Sequence, residues 1–426
     1  MNKIIYCIDY HYNILEYLEL RDAWNYIRSC KELYEHRKII FEKYKFKIKD
    51  VNKIPKDMRK YVKKLEYVLK VENINDYKNL KSIIYHFHYM GTIENLSDSV
   101  EEIYLSEYYN KEINKYPSSL KKIYYGDDYN QSIENLPDNV EEIILSWSFN
   151  KEIKKYPSSL KKIDYGEDYN YSIENLPEGL EEIILSRNYN KEIKKYPSSL
   201  KKIDYGYDYN NSIDNLPERV EEIKLSCKYN KEIKKYPSSL KKIDYGCYYN
   251  HSIDNLPESV EEIKLSWEYN KEIKKYPKNL KYINYGIDYN HSIDNLPESV
   301  EEIKLSNKFN KEIKKYPKNL KYIYYGVDYN HSIDNLPESV EEIKLSGRYN
   351  KKIKKYPSSL KKIDYGVDYN KSIENLPEGV EEIYLSEYYN KEIKKYPKNL
   401  RKIYYYYDEQ KKLIKNIPEN IRIIMK

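Results

Sequence analysis

The chain has 426 residues, 75 Lys+Arg against 69 Asp+Glu for a formal net charge of +6, and 55 Tyr beside only 11 Gly. With 40% hydrophobic and 15% aromatic residues it is too apolar for a disordered polymer, and its small positive surplus argues against a dedicated polyanion binder, so no nucleic-acid partner is expected. No apolar run approaches the roughly 18 residues that cross a bilayer, and the opening MNKIIYCIDYHYN is too polar for a secretory leader, which predicts an intracellular protein without a membrane partner.

In chain order, the first element is helical. ILEYLELRDAWNYIRSCKELYEHRKIIFEKYK, within residues 9–45, sets Ile14, Leu15 and Leu18 on one helix face. Trp24, Ile27 and Tyr34 fall on another face after a cap at Asp22. Ile14, Leu15, Tyr17, Leu18, Leu20, Asp22, Cys30, Lys31 and Leu33 together resemble an F-box, although the opening Leu-Pro of that motif is absent. The resemblance implies that residues 1–50 dock on the adaptor of a cullin-type ubiquitin ligase, through Ile14, Leu15, Leu18, Leu20, Trp24 and Ile27. A plain helical cap over the first coil is the alternative. Residues 51–90 carry degenerate echoes of the downstream repeats, such as NLKSIIY at 79–85, and lead into them.

From 91 to 410 the sequence repeats every twenty residues, sixteen times, without insertion or deletion. Counted from residue 91, positions three and thirteen are Ile in every copy, position seven is Pro in fifteen and position twenty is Asn in fifteen. Two helices with their turns do not fit into twenty residues that contain a recurrent proline. LKKIDYG at 160–166 instead alternates as a strand, with Ile163 and Tyr165 facing one way and Lys162 and Asp164 the other. The expected fold is a β-rich solenoid, leucine-rich-repeat-like, with one long parallel sheet of twenty-residue coils and a small α-helical N-terminal segment. About six buried side chains per coil do not offset the ordering of twenty residues, so each coil depends on its neighbours. The Asn column is expected to bond the backbone of the next turn, and the Pro column to fix a bend.

Two kinds of coil alternate. Positions eleven and twelve are Glu-Glu in one and mostly Lys-Lys in the other, so Glu141 and Glu142 fall between Lys121, Lys122 and Lys161, Lys162. Position fourteen runs oppositely, with Lys224, Lys264, Lys304 and Lys344 against Asp164, Asp204, Asp244 and Asp364. Every ladder of charge is then expected to alternate in sign and so to fix register.

The recurring Y/F-N-x-x-I-x-x-L/Y-P, as in FNKEIKKYP at 149–157 and 309–317, resembles the FNIP repeat, a leucine-rich-repeat relative frequent in amoebae and their giant viruses. The resemblance covers residues 91–410 and implies a protein-binding solenoid, in the host cytoplasm if the source is viral. Residues 411–426 hold a shifted copy, IPENIRII, read as a closing cap.

Chemistry is sparse. His251, His291 and His331 recur forty residues apart, two coils or roughly 10 Å, too far to share a metal. The four cysteines form no metal pair, and in a reducing compartment all are expected to be free thiols, although Cys227 and Cys247 stack in adjacent coils close enough for a disulfide in principle. No phosphate loop, nucleophile elbow or metal motif is present, so no enzyme activity, cofactor or metal is expected. Positions fourteen, seventeen and eighteen differ between copies, and there Tyr104, Trp147, Arg187, Tyr207, Tyr248, Trp267, Tyr324, Arg348 and Tyr388 are residue types that anchor protein interfaces. Neutral drift at exposed sites is the plainer account of them. The leading reading is a substrate-recruiting F-box adaptor holding a protein target on its solenoid. A stand-alone scaffold or decoy is the alternative.

Overall fold

The computed structural model describes residues 46–47, 54, 56–69 and 74–426. The segment over 9–45 expected to be helical, with Ile14, Leu15, Leu18, Leu20, Trp24 and Ile27, lies outside the described residues. The chain divides into two compact units, residues 1–207 and 208–426, and the described residues of each form a parallel β-solenoid.

In the first unit β1 (Phe46–Lys47), β2 (Lys64–Val68) and β3 (Ser82–Tyr85) precede the regular coils, with helix α1 (Lys56–Arg59) between the first two strands. Arg59 is buried and ties this entry together, its guanidinium donating to the Ile54 carbonyl at 3.1 Å and pairing with Asp76 at 2.8 Å. One three-residue strand per coil comes next: β4 (Glu102–Tyr104), β5 (Lys122–Tyr124), β6 (Glu142–Ile144), β7 (Lys162–Asp164), β8 (Glu182–Ile184) and β9 (Lys202–Asp204). The second unit continues the pattern with β10 (Glu222–Lys224), β11 (Lys242–Asp244), β12 (Glu262–Lys264), β13 (Tyr282–Asn284), β14 (Glu302–Lys304) and β15 (Tyr322–Tyr324). It ends with β16 (Glu342–Lys344), β17 (Lys362–Asp364), β18 (Glu382–Tyr384) and β19 (Lys402–Tyr405). Helix α2 (Asp408–Lys411) then leads to β20 (Arg422–Met425), supplied by the shifted copy, which pairs with β19 in parallel with Ile403 opposite Ile423.

The strands are short because one inward side chain suffices. The position-thirteen Ile is buried at the strand centre between two partly exposed neighbours, and position fifteen turns in just after it. Proline bends the chain by accepting a turn: the amide three residues after it closes on the proline carbonyl, as Leu280 does on Pro277 at 3.2 Å. The Asn column behaves as its spacing predicts. Along most of the column the Oδ1 accepts the backbone N–H of the next Asn, at 2.9 Å from Asn130 to Asn110 in the first unit and 3.0 Å from Asn290 to Asn270 in the second.

Two features explain why the units alternate, and neither is a charge. At position sixteen one kind of coil carries a buried Ser whose hydroxyl donates to the carbonyl of the preceding coil's aromatic residue, as Ser266 does to Tyr249 at 2.6 Å. The other kind carries Gly at the same position. A Cβ on Gly286 would lie 2.1 Å from the Ser266 carbonyl oxygen, and its φ is +69°, so no other residue fits there without displacement. Within each Gly-type coil two core tyrosines, from positions six and fifteen, join hydroxyl to hydroxyl: Tyr276 and Tyr285 at 2.9 Å, Tyr316 and Tyr325 at 2.8 Å. Burial holds both phenols of each of these pairs well above the usual tyrosine value.

The charge ladders are present at position eleven, where Lys241 meets Glu221 at 2.8 Å, Lys281 meets Glu261 at 2.7 Å and Lys361 meets Glu341 at 2.6 Å. The expectation that every ladder alternates is too broad. In β13 and β15 the position-twelve Lys is Tyr282 and Tyr322, and the position-fourteen Asp is Asn284 and Tyr324, so alternation lapses there.

Candidate protein-interaction surface

After each strand the chain makes a short turn that the repeat itself exposes. Position sixteen packs against the preceding coil and position nineteen returns an aromatic ring to the core, so seventeen and eighteen are left at the surface. Backbone bonds between coils hold this turn: Asp288 N–H donates to the Trp267 carbonyl at 3.0 Å and Lys308 N–H to the Ile287 carbonyl at 3.0 Å. A large side chain at seventeen or eighteen therefore stands on a fixed backbone, which lowers the ordering cost of contact.

The residues singled out by their variability fall into three settings. Trp147, Trp267 and Tyr388 are 59%, 57% and 60% exposed, and Tyr207 and Tyr248 are less so. The two arginines are engaged: the Arg187 guanidinium lies 5.0 Å from the Tyr207 ring centroid, and Arg348 Nη1 pairs with Asp328 at 2.7 Å. Tyr104 and Tyr324 sit on strands and are half-buried. Tyr104 stacks on Tyr124 at 4.1 Å, and Tyr324 receives Lys304 at 5.3 Å, with burial and the nearby Glu342 raising its phenol to about 12. Spacing alone did not mark Tyr108, Ile287, Val327 or Tyr407, which are also exposed at these positions. Taking every apolar residue at seventeen and eighteen, rather than Trp, Tyr and Arg alone, would have found them.

The cysteine expectation is corrected. Cys227 and Cys247 form a disulfide, with their Cα atoms 4.4 Å apart. In-register parallel stacking sets the same position of successive coils side by side, at a separation that a disulfide spans. Scarcity of cysteine in the composition says nothing about that register. The histidines are placed by the coil: Nε2 of His251, His291 and His331 lies 3.0, 3.0 and 3.1 Å from the carbonyls of Asn230, Asn270 and Asn310. Among the described residues no group of three His, Cys, Asp or Glu could hold a metal ion, and no helix is long and apolar enough to cross a membrane.

Short parallel strands, a turn of buried Ser or Gly, and an Asn ladder define a solenoid of the leucine-rich-repeat class. Solved structures agree on the fold. The chain is similar to CroV588, a circular leucine-rich-repeat protein, with TM-score 0.69 and 24% identity over 89% of this chain and 68% of that one. It is also similar to YopM from Yersinia enterocolitica, with TM-score 0.52 and 14% identity over 86% of this chain and 87% of that one. More particularly, the FNIP Repeat model matches residues 116–148, 129–168, 269–308 and 309–348, so these stretches of the solenoid are FNIP repeats. No curated protein matches the chain in sequence.

Proposed function

We propose that this chain is a non-enzymatic protein-binding solenoid whose strand-end turns hold a target protein, and whose N-terminal segment recruits that target to a cullin-type ubiquitin ligase. The observation that carries the first part is the setting of Trp147 and Trp267. Both occupy position seventeen, both are more than half exposed, and both stand on turns fixed by backbone bonds to a neighbouring coil. Large rigid aromatics held at the surface in this way are the usual anchors of a protein interface. The second part rests on the F-box-like pattern of Ile14, Leu15, Leu18, Leu20, Trp24 and Ile27 alone. An amoebal or giant-virus source and a site of action in the host cytoplasm belong to the same proposal.

Two pairs of variants test it. Trp147→Ala with Trp267→Ala should abolish capture of the target from a host extract while the circular dichroism spectrum is kept. Leu15→Asp with Leu18→Asp should leave target capture intact and remove the ligase adaptor from the captured material. If the tryptophan variant captures the same protein as the parent, the turns are not the binding surface. If the leucine variant changes nothing, the chain is a scaffold or decoy without a ubiquitin link.

A further inference from the structure

The lapse in charge alternation has a regular geometry. Parallel pairing from β12 to β16 sets Lys264 opposite Asn284, Asn284 opposite Lys304, Lys304 opposite Tyr324, and Tyr324 opposite Lys344. Cations thus recur on every second strand with a neutral residue between them, which at about 4.8 Å per strand is a spacing of roughly 9.6 Å. Tyr282 and Tyr322 sit at position twelve on the intervening strands, at the same roughly 9.6 Å spacing. Lys304 lies between rings, its Nζ 5.2 Å from the Tyr282 centroid and 5.3 Å from that of Tyr324. Of the neighbouring glutamates, Glu262 and Glu342 are paired with lysines of the flanking strands, Lys242 at 2.9 Å and Lys362 at 3.0 Å, whereas Glu302 pairs with Lys304 itself at 3.1 Å, a contact that an acidic partner group has to share. At the two ends the lysines are freer. Lys264 has Asp244 only at 3.9 Å, and exposed Lys344 makes no ion pair with a described residue.

A partner that matches this row must present like side chains on one face at the same interval. An α-helix repeats every 5.4 Å and a strand shows one face every second residue, about 6.6 Å, so neither keeps step. A polyproline II helix has three residues per turn and rises about 3.1 Å per residue, which returns each third side chain to the same face after about 9.3 Å. Its flat proline rings dock between aromatic side chains, which the tyrosines supply. We propose that the strand face from β12 to β16 binds an extended, proline-rich segment of a partner protein that carries an acidic side chain at every third position. The acidic groups meet Lys264, Lys304 and Lys344, and the prolines lie against Tyr282, Tyr322 and Tyr324. This rests on reading the chain as a binding solenoid, but it uses a different face from the tryptophan-bearing turns.

The test uses the full chain and a labelled peptide of five Asp-Pro-Pro triplets, read by fluorescence anisotropy. A second peptide holds the same aspartates and prolines with the aspartates clustered at one end, and a third probe is oligothymidylate. The triplet peptide should bind at least about tenfold more tightly than the clustered one. Lys264→Gln, Lys304→Gln and Lys344→Gln together should remove most of that binding, whereas Trp147→Ala with Trp267→Ala should leave it unchanged. Equal binding of the two peptides, no binding of either, or tighter binding of oligothymidylate overturns the proposal. Failure here with tryptophan-dependent target capture intact leaves the turn-side function standing, and the converse result separates the two in the other direction.

Discussion

Raising the pH above the tyrosine range should unfold the second unit in one steep step, because its core is glued by phenols that cannot ionise in place. The hydroxyl pairs Tyr236–Tyr245, Tyr276–Tyr285, Tyr316–Tyr325 and Tyr356–Tyr365 are buried, and burial raises each of these phenols well above its ordinary value of 10.0. A folded value above the unfolded one means full stability below pH 10 and loss as pH rises further, since only the unfolded chain then releases protons. Between pH 10 and 11 each such phenol removes about 1 kcal/mol, so these eight remove about 8 kcal/mol, comparable with the ~5–15 kcal/mol stability of a typical domain. Lysines whose values are raised by glutamate partners, such as Lys281 and Lys361, act in the same direction. Phenolate absorbance and far-ultraviolet circular dichroism followed together in an alkaline titration should show an early rise in absorbance without loss of structure, then a single cooperative change in both. Smooth ionisation of all the tyrosines with the β signal retained would refute the reasoning.

Further substitutions probe the coil interior. Gly286→Ala should cost about 2–4 kcal/mol in urea denaturation, since its Cβ meets a fixed carbonyl and its φ of +69° is unfavourable to any side chain. Tyr269 has a buried hydroxyl with no partner among the described residues, whereas Tyr289 donates to the Ser292 carbonyl at 3.3 Å. Tyr269→Phe should therefore be neutral or slightly stabilising, as the natural Phe149 and Phe309 at the equivalent position suggest, and Tyr289→Phe should cost about 0.5–1.5 kcal/mol; a reversed order in thermal melts would contradict the assignment. Reduction of Cys227–Cys247, which closes a separation of 20 residues, should lower stability by about 3 kcal/mol, and Cys227→Ser with Cys247→Ser should melt at the same temperature with or without reductant.

The solenoid was legible because identical coils repeat the same physical demand: Ile103 and Ile123, like their counterparts along the chain, occupy one inward position, and a period of two between Ile163 and Tyr165 leaves only a strand. Register followed from the exact twenty-residue step, and it is register that brought Cys227 beside Cys247. The expectation of free thiols rested on a reducing compartment, and the bond overturns it although the proximity of the two residues is legible in the repeat. The Ser–Gly alternation was visible as letters, yet its cause is a carbonyl 2.1 Å from an absent Cβ, which no sequence pattern reports. Of the candidate surface, the exposure of Trp147 and Trp267 follows from their place between two inward positions. The engagement of Arg187 by Tyr207 and of Arg348 by Asp328 depends on side-chain reach between coils, which spacing alone does not give.

Loss of a whole coil tests the account most directly, because its central claim is that two unlike coils form one forty-residue unit locked in register. Deletion of 271–310 removes a complete pair and again brings a Gly-type coil after Ser266. Deletion of 271–290 instead abuts two Ser-type coils, with Glu261 and Glu262 against Glu301 and Glu302. The measurement is the urea midpoint of both proteins beside the parent. The forty-residue deletion should unfold cooperatively near the parental midpoint, and the twenty-residue deletion should be destabilised by about 2 kcal/mol or more. Equal midpoints for the two deletions would contradict the two-coil unit.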